Sequence, residues 1–309
     1  MEKLIVVVSC YKNDFFLTRT CVASVKYFHP EAEVYLLKDY LAGSFDSSEL
    51  EQAFQVKVID LGKKEYGWGA AKVHFVLSEI FRNERVFIID SDTVFVGRFL
   101  RKLYDKTKGI DFVVDPEFYT SPYDGNVPLH YYKFDELKKF DPDFVFPGFV
   151  FNTGHLIVTP GKVTPRDAYD LFDINTFPYY KRLDILYMPD QSLFNYLFIK
   201  MRDAGQLTLT PVPLMAWSEG SQAKAVELEE VKKGDKYDFL IHWAGARRIS
   251  YLNVMTRSDI LLFFEDYYYT KVPFGAIKKQ ARRTIAVSDY YLRKIYRKTL
   301  KPLIKREPN

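Results

Sequence analysis

The sequence predicts an α/β fold in which a mostly parallel central sheet is flanked by helices. The first observation is a series of short apolar runs, "LIVVVSC", "EVYLLKD", "QVKVID" and "VFIID", which are typical of buried parallel strands. The second is that segments with helical spacing separate these runs along the first third of the chain. This alternation favours parallel strands joined by helical crossovers, and ligands of such sheets bind beyond the carboxyl ends of the strands.

Each predicted helix between these strands carries a local signal. The segment "DFFLTRTCVASVKYF" has helical spacing, with Asn13 or Asp14 as its start signal. In "SSELEQAF", Ser48 and Glu51 stand at capping-box spacing. The segment "GAAKVHFVLSEIF" places four apolar residues on one helical face: Val73, Leu77, Ile80 and Phe81.

The second half of the chain is less regular. Residues 115–148 are rich in Pro, Asp, Tyr and Gly and are predicted to form a long loop region. Beyond it, "GFVFNTGHLIVT" predicts a strand or hairpin, "DQSLFNYLFIKM" an amphipathic helix and "DFLIHWAG" a last strand. No linker is evident before about residue 270, so we predict one domain over residues 1–270 and a helical segment over residues 271–309.

Composition limits the class of protein. The chain of 309 residues is 48% hydrophobic, which suits a sizeable core and argues against global disorder. Its two cysteines, Cys10 and Cys21, form no C-x-x-C motif, so neither a disulfide framework nor a structural zinc site is expected. No run approaches the ~20 apolar residues of a membrane span, and no signal region is evident. These features predict a cytoplasmic protein.

The C-terminal segment is strongly basic. Residues 278–309 contain eleven Lys and Arg against two acidic residues, whereas the whole chain has a net charge of only +4. Aliphatic residues, among them Ile285, Leu292 and Ile295, are interspersed with the basic ones. One interpretation is a helix packed on its own domain, with these aliphatic residues buried. The other is an amphipathic helix bound peripherally to an anionic membrane at its inner face. Nucleic-acid binding is not expected, because no recognition motif accompanies the charge.

Two Asp-x-Asp motifs occur, in different contexts. Asp90-Ser91-Asp92 ends the apolar strand "VFIID", so its carboxylates are predicted to lie at the ligand-binding edge of the sheet. Two close carboxylates repel each other unless a positive charge compensates them. A divalent cation held by their oxygens would do so and would also bind substrate phosphates. The alternative is a strand-to-turn cap without a ligand. Asp141-Pro142-Asp143 lies in a Pro-rich polar loop and is interpreted as a solvated turn.

Residues at the end of the last predicted strand extend the first of these motifs. His242 follows "FLI", where a lone histidine is more often structural, but beside two carboxylates it is a candidate third metal ligand. Arg247 and Arg248 follow a turn of small residues and are candidates to bind phosphate oxygens.

Taken in order, these motifs resemble glycosyltransferase family 8, which contains glycogenin and the bacterial lipooligosaccharide galactosyltransferases. The resemblance covers roughly residues 3–250 and rests on five segments: "VVSCYKND", "AAKVHFVLSEIFRNERVFIIDSDTVFVG", "GFVFNTGHLIVTPG", "MPDQSLFNYLF" and "HWAGARRI". It implies a GT-A fold with a single Rossmann-like domain, a UDP-sugar donor, and Mn²⁺ as the cofactor, with Mg²⁺ as the alternative. It also implies transfer with retention of anomeric configuration.

The resemblance also implies roles for individual residues. The metal ligands would be Asp90, Asp92 and His242. Tyr11 would lie beside the uracil ring, and the other residues expected to bind the donor are Lys72, Ser91, Gly245 and Arg248. The candidate catalytic residues, which would face the transferred sugar, are Asn152 in "FNTG" and Asp190 and Gln191 in "PDQ".

Several of these residues have a structural alternative, and the sequence departs from the family at others. Lys72 is otherwise an exposed helix lysine, Asn152 a strand-edge asparagine and Asp190 a helix N-cap. The departures are Arg248 where the family usually has Lys, Ile249-Ser250 where it has Pro-Trp, and Cys10 where relatives often carry a small or acidic residue.

The sequence therefore favours a metal-dependent glycosyltransferase that moves a sugar from a UDP-sugar to a glycan or lipid-linked acceptor, in surface polysaccharide or glycolipid synthesis. Two other classes stay open. A sugar nucleotidyltransferase would need a Gly-rich basic N-terminal loop, which "VVSCYKND" lacks. A non-catalytic protein that binds nucleotide-sugar or membrane would not need an intact carboxylate pair and histidine.

Overall fold

The central sheet has seven strands and is mostly parallel. The computed structural model describes residues 2–67, 69–245 and 249–300. The strands are β1 (Ile5–Tyr11), β2 (Glu33–Asp39), β3 (Lys57–Val58), β4 (Val86–Asp90), β5 (Thr93–Phe95), β6 (Phe112–Phe118), β7 (Phe149–Val158), β8 (Leu209–Pro211), β9 (Met215–Trp217) and β10 (Leu240–His242).

The strand order explains how the two halves of the chain meet. In the large sheet the order is β3-β2-β1-β4-β7-β6-β8. Four of its six pairings are parallel, whereas β7 runs antiparallel to both of its neighbours, β4 and β6. A second sheet of three strands has the order β5-β10-β9. The predicted α/β fold with a mostly parallel sheet flanked by helices is confirmed.

Helices cover both faces of the large sheet. They are α1 (Phe15–Phe28), α2 (Ser48–Phe54), α3 (Ala70–Val76), α4 (Leu100–Lys106), α5 (Val127–His130), α6 (Phe134–Phe140), α7 (Pro165–Ala168), α8 (Pro189–Asp203), α9 (Ser221–Lys224), α10 (Leu228–Lys233), α11 (Ser258–Lys271) and α12 (Gly275–Ile295). Short 3₁₀ turns span Lys12–Asp14 and Leu252–Val254, and a π-helical turn, Tyr296–Leu300, follows α12.

The first strand shows how one apolar run serves two cores. Because side chains alternate along a strand, Val6 and Val8 pack into the cluster with α1 and α11, whereas Ile5 and Val7 pack into the cluster with α3 and α8. All four side chains are buried. A continuous β-branched run is therefore what a strand covered on both faces requires.

Two helices differ from their predicted ends. Ser47, rather than Ser48, precedes α2 as its N-cap and donates to Glu51 Oε1 at 2.5 Å, while Ser48 bonds to Asp46 instead. Helix α3 ends at Val76, so its predicted extension to residue 81 is wrong. The carbonyl of Val76 accepts the N–H of Gly161, and this tertiary bond takes the place of a further helical one.

The middle of the chain has more regular structure than predicted. Within residues 115–148, β6 continues to Phe118 and the short helices α5 and α6 follow. The segment "GFVFNTGHLIVT" forms one strand, β7, whose ten residues are all buried. Local composition indicated loop here because Pro116 lies within β6, Pro128 lies within α5, and Gly and Pro are frequent between these short elements.

The two C-terminal helices differ in burial. Helix α11 packs into the core through Ile260, Leu261 and Phe264, which are fully buried. Helix α12 is tied to α2 by Glu49, whose carboxylate pairs with Lys278 at 2.8 Å and Arg282 at 2.6 Å. The division of the chain near residue 270 falls between these helices and stays a prediction.

The aliphatic residues of α12 face solvent. Ile285, Leu292 and Ile295 are 69%, 65% and 56% exposed, so the interpretation in which they are buried against the domain is wrong. Within the described ranges, no helix combines the length and apolar character needed to cross a membrane.

Candidate active site

The ends of two neighbouring parallel strands form one wall of a cleft. Strands β1 and β4 pair so that Ser9 lies opposite Asp90. The cleft has a volume of about 730 Å³, within the range of small-molecule sites. Its lining residues are Ser9, Cys10, Tyr11, Asp14, Asp39, Leu41, Ala42, Gly67, Gly69, Ala71, Lys72, Asp90, Ser91, Asp92, Thr153, Met188, Pro189, Asp190 and Gln191.

Three predicted metal ligands come together beside this cleft. Strand β10 pairs with β5, and the N–H of Trp243 donates to the carbonyl of Asp92 at 2.9 Å, which brings His242 alongside the Asp-x-Asp motif. His242 Nε2 lies 3.2 Å from Asp92 Oδ1. One ligand atom from each of Asp90, Asp92 and His242 lies within 4.8 Å of the other two.

This donor set fits a divalent cation. Two carboxylate oxygens and one imidazole nitrogen are ligands that Mn²⁺ and related ions accept, and the carboxylates also suit Mg²⁺. Burial raises the pKa of Asp90; the Lys72 ammonium opposes this effect, and the neighbouring Asp92 carboxylate adds to it. In the part of the chain that the structure describes, His242 Nδ1 has no hydrogen-bond partner. Two close carboxylates and a buried imidazole are the arrangement that a bound cation stabilises.

Gly154 leaves the space in which this cluster sits. A Cβ at this position would lie 3.0 Å from Asp90 Oδ2, 3.0 Å from His242 Cε1 and 2.8 Å from Asn152 Oδ1. Any larger residue would therefore press on two candidate ligands at once. Glycine is unusual inside a fully buried strand. Here it is explained by the close approach of the Asp90 and His242 side chains to the backbone of β7.

Lys72 links the Asp-x-Asp motif to the "PDQ" segment. Its Nζ lies 3.1 Å from Asp90 Oδ1 and 3.1 Å from Asp190 Oδ2, and it donates to the carbonyl of Thr153 at 3.2 Å. Burial disfavours the charged ammonium, but the carboxylates of Asp90 and Asp190 outweigh burial and raise the pKa of Lys72. Lys72 is therefore a buried cation between two carboxylates, and the alternative of an exposed helix lysine is wrong.

Asp190 and Gln191 lie at the start of α8, where they line the cleft. Besides Lys72, Asp190 Oδ2 accepts the hydroxyl of Thr153 at 3.2 Å. Gly69 makes room for this carboxylate, because a Cβ there would lie 2.3 Å from Asp190 Cγ. Gln191 Nε2 donates to the carbonyl of His130 at 3.0 Å. The N-cap of α8 is Met188, so the alternative of Asp190 as the N-cap is wrong.

Asn152 lies next to the metal-ligand cluster. Its Oδ1 accepts the N–H of Gly154 at 2.7 Å, within the same small space that Asp90 and His242 border. The next residue, Thr153, lines the cleft. The structure therefore brings Asn152 to the site through Gly154 and places Thr153 between Lys72 and Asp190.

Tyr11 and Ser91 line the cleft and are joined through Asp14. The Tyr11 N–H donates to Asp14 Oδ1 at 3.0 Å, and the Ser91 hydroxyl donates to Asp14 Oδ2 at 2.7 Å. Asp14 is buried, so it fixes the loop after β1 against the Asp-x-Asp motif. Cys10 lies beside them, and burial, with Asp14 adding to it, raises the pKa of its thiol well above the ordinary value.

The C-terminal donor-binding candidates are only partly described. Gly245 has a φ of +71°, which L side chains rarely adopt, and a Cβ there would meet nothing within 4 Å. Glycine is therefore needed for its backbone conformation. Arg247 and Arg248 lie outside the described residues.

Two aromatic residues that the sequence did not single out contact His242. The Trp217 ring stacks on it with centroids 5.2 Å apart, and the His155 ring meets it edge to face at 4.7 Å. Burial, with His242 nearby, lowers the pKa of His155 well below its ordinary value, so the ring is neutral. Neither nitrogen of His155 has a hydrogen-bond partner among the described residues, a state that costs about 1–3 kcal/mol per buried group.

A further buried carboxyl group lies behind the site. Asp115 on β6 is opposite Asn152 on β7, at a bulge in the pairing, and accepts the N–H of Leu214 at 2.8 Å. Burial raises the pKa of Asp115 to about 7. The bulge indicates that this strand deviates where it passes the site.

Some of these residues had a usable signal in the sequence, and others had none. Gly154 and His155 directly follow Asn152 inside an apolar strand, where a glycine and a histidine are both unusual. For Asp14, the sequence indicated only the start of a helix. Nothing near Trp217 in the sequence indicates a site, because its partner His242 is brought beside it by pairing of β9 with β10.

Comparison with solved structures identifies the fold. The chain is similar to the bifunctional glycosyltransferase WbbM, with a TM-score of 0.59 and 14% sequence identity over 92% of this chain and 52% of that one. It is also similar to the galactosyltransferase LgtC solved with donor and acceptor sugar analogues, with a TM-score of 0.52 and 14% identity over 86% of this chain and 96% of that one. The chain has the GT-A fold.

The fold implied by the sequence motifs is therefore confirmed. The chain spans about half the length of WbbM and nearly all the length of LgtC. No protein-family model matches the sequence, and no curated protein sequence matches it.

Proposed function

We propose that this chain is a metal-dependent glycosyltransferase. It moves a sugar from a UDP-sugar donor to a hydroxyl of a glycan or lipid-linked acceptor, in surface polysaccharide or glycolipid synthesis. The observation that carries the proposal is the cluster of Asp90, Asp92 and His242 beside a cleft at the carboxyl edge of the sheet of a GT-A fold. The reaction gives a glycoside, UDP and a proton.

The metal ligands in this proposal are Asp90, Asp92 and His242, with Mn²⁺ as the cation and Mg²⁺ as the alternative. A divalent cation held by these residues would supply positive charge to neutralise the diphosphate of the departing UDP. The chain's own contribution is to hold the three ligands close together in a largely buried site.

The donor occupies the cleft with its uracil ring beside Tyr11. An aromatic ring is a flat surface on which a base can stack, and Tyr11 lies at the cleft end of β1. Ser91 orders the loop next to it through Asp14. The backbone at Gly245 and the guanidinium of Arg248 bind the diphosphate; the assignment of Arg248 rests on the sequence resemblance alone.

Lys72 acts mainly on the protein's own carboxylates. Its ammonium group has three acceptors, Asp90, Asp190 and the Thr153 carbonyl, so its donors are already used. It therefore aligns the metal-binding carboxylate with the residues that face the sugar. Its positive charge also adds to the electrostatic stabilisation of the departing diphosphate.

Asp190, Gln191 and Asn152 face the transferred sugar. Because Gln191 Nε2 is held by the carbonyl of His130, its Oε1 is left for the substrate. We assign that oxygen to the sugar face opposite UDP, where it stabilises the positive charge that develops at the anomeric carbon. Asp190, fixed by Lys72 and Thr153, and Asn152 position the sugar, and transfer proceeds with retention of configuration.

Product analysis tests the reaction. The protein is incubated with Mn²⁺ and a panel of UDP-sugars without an acceptor, and free UDP and free sugar are measured. Slow hydrolysis of one donor supports glycosyl transfer, and the anomer formed with an acceptor reports the stereochemistry. UTP and sugar 1-phosphate formed on adding pyrophosphate would indicate a nucleotidyltransferase, and no turnover would indicate a binding protein. A thermal-shift series in which GDP stabilises the fold more than UDP would contradict the uracil assignment.

The exposed face of α12 attaches the enzyme peripherally to an anionic membrane. Besides the three aliphatic residues already described, Ile277 is 71% exposed and continues the same helical stripe. Phe274, which directly precedes the helix, is 78% exposed. Basic residues border the stripe within residues 278–309, where two acidic residues stand against eleven Lys and Arg. Each such side chain near an anionic leaflet contributes about 1 kcal/mol. This attachment brings the enzyme close to an acceptor that is linked to lipid.

Vesicle co-sedimentation tests the attachment. The native chain is expected to pellet with phosphatidylglycerol vesicles and to be released as salt rises, because screening shortens the range of the charges. The double variant Ile285→Ser with Leu292→Ser should pellet less. The control, Val145→Ser with Leu183→Ser, changes two aliphatic residues elsewhere that are 68% and 55% exposed, and it should pellet as the native chain. Equal pelleting of both variants, or no preference for anionic lipid, would contradict attachment through α12.

A further inference from the structure

His242 is covered by an aromatic ring from its own sheet. Strands β9 and β10 are parallel neighbours in which Trp217 lies opposite His242. Side chains opposite each other project from the same face of a sheet, and the two rings stack at 5.2 Å with an angle of 21° between their planes. Trp217 is 41% exposed, whereas His242 is buried, so the indole covers the imidazole from solvent.

A second ring reaches His242 from the large sheet. His155 lies on β7, opposite Ile89 of β4. Ile89 directly precedes the candidate metal ligand Asp90 in the sequence. Its ring meets that of His242 at 4.7 Å and 86°. One neighbour of His242 is therefore nearly parallel to its plane and the other is perpendicular to it. We call Trp217 and His155 the aromatic clamp.

Packing alone does not account for these two residues. His155 is fully buried, and in the described ranges both of its nitrogens are without a hydrogen-bond partner, so an apolar side chain would fill the position at less cost. Trp217 leaves a large apolar ring partly exposed to water, and the packing of a short strand does not require such a ring there. What the two share is contact with a single imidazole.

We propose that Trp217 and His155 are positioning residues that fix the ring plane of His242 so that Nε2 stays beside Asp92. The proposal rests on the proposed function, because it takes His242 to be a metal ligand. Rotation of the imidazole about its Cβ–Cγ bond would break the stack with Trp217 and drive the ring into His155. Residues that orient a ligand typically change metal affinity by about 10–100-fold when they are removed.

The test measures Mn²⁺ binding directly. Free Mn²⁺ is followed by electron paramagnetic resonance during titration of the full chain, with and without UDP, and Tm is measured on the metal-free protein. His155→Val should weaken Mn²⁺ binding about tenfold while leaving Tm equal or higher, because valine suits the strand and buries no unpaired nitrogen. A residue that serves packing only would leave Mn²⁺ affinity unchanged.

Trp217 supplies the second and independent arm. Trp217→Ala removes a partly exposed ring and should also weaken Mn²⁺ binding about tenfold, whereas Trp217→Phe keeps a stacking ring and should restore most of the affinity. Tyr291→Ala, which removes an exposed ring from α12, should bind Mn²⁺ as the native protein does.

The outcomes separate the clamp from the proposed function. Native affinity in both His155→Val and Trp217→Ala overturns the clamp and leaves the metal requirement intact. The clamp is also overturned if His155→Val loses both Mn²⁺ affinity and Tm while Trp217→Ala binds Mn²⁺ with native affinity. If the native chain binds no Mn²⁺ with or without UDP, the metal requirement of the proposed function fails and the clamp fails with it.

Discussion

The two Asp-x-Asp motifs have the same spacing and entirely different surroundings. Asp90 and Asp92 follow a buried central strand, and they meet His242 and the buried ammonium of Lys72. Asp141 follows the surface helix α6, and it pairs with Lys200 at 2.6 Å and with the Tyr196 hydroxyl at 2.7 Å.

The secondary-structure element that precedes an Asp-x-Asp motif, and not the motif itself, decides whether the two carboxylates form a site. A central parallel strand delivers its last residues to an edge where several strands and loops converge. After a surface helix, the side chain of Asp143 is exposed, as the interpretation of a solvated turn expects. That interpretation is wrong for Asp141, whose side chain is only 12% exposed. The carboxylates of the first motif meet a buried ammonium and a buried imidazole. In the second motif, Asp141 is compensated by a half-exposed lysine and a tyrosine hydroxyl, and Asp143 by water.

The largest expected effect is on turnover at the first motif. Asp92→Asn keeps the size of the side chain and removes its charge, so we expect the rate of UDP release to fall roughly 100-fold or more. Asp143→Asn makes the same change in the second motif and should leave the rate unchanged. Initial rates with Mn²⁺ measure both, and EDTA should abolish the native rate. Equal rates for the two variants would remove the distinction between the motifs.

A smaller loss of turnover is expected from Gly154→Ala. Its backbone φ is one that alanine accepts, but the added Cβ presses on Asp90 and His242, and a shift of about 1 Å in such a site costs up to about 100-fold in rate. Gly109→Ala is the matched control. It has a φ of +80° and open space around the Cβ, so it should lower Tm without changing turnover. A native rate for Gly154→Ala would show that the cluster tolerates displacement.

The two lysines that pair with these motifs should differ in their effect on stability. Lys72 has a side chain that is 6% exposed, and Lys72→Met leaves two close carboxylates without their shared cation, which should cost about 3 kcal/mol of unfolding free energy. The Lys200 side chain is 52% exposed, and Lys200→Met should cost about 1 kcal/mol or less. Urea denaturation at pH 7 measures both. Similar losses would mean that burial does not distinguish the two pairs.

The smallest expected effect is a pH-dependent one at Asp141. Burial acts to raise the pKa of this carboxyl, but hydrogen bonds from Lys200 and Tyr196 outweigh it and lower the pKa. A lowered pKa contributes stability that is present above the ordinary value of about 3.9 and is lost as pH falls through the folded-state value. The native chain should therefore exceed Asp141→Asn slightly in Tm at pH 7, and the difference should shrink below about pH 4. A difference that grows in acid would contradict this assignment.

The first half of the fold was predictable because its signals are local. Strands β1, β2 and β4 each contain a short apolar run, and burial on both faces requires such a run wherever helices cover both sides of a sheet. The predicted strand "QVKVID" forms only the two exposed residues of β3. Element ends were less predictable. The end of α3 depends on a bond from Gly161 to the carbonyl of Val76, and the two residues are far apart in the sequence.

Part of the candidate site was also determined by the sequence. Asp90 and Asp92 were placed at the edge of the sheet because a strand must end where its apolar run ends. His242 was named because it ends another apolar run, and the order of the motifs then indicated the GT-A fold. The placement of Asp90, Asp92 and His242 uses only neighbours along the chain, which is the range over which periodicity carries information. The GT-A fold was instead implied by the resemblance of the ordered motifs to a known family.

Only the tertiary structure decided which residues share an environment. The sequence does not place Lys72 between Asp90 and Asp190, Gly154 against His242, or His155 and Trp217 around one imidazole. These contacts join two sheets and the starts of two helices. They arise from strand order, register and packing, which depend on the whole chain minimising its exposed apolar surface and its unpaired charge together.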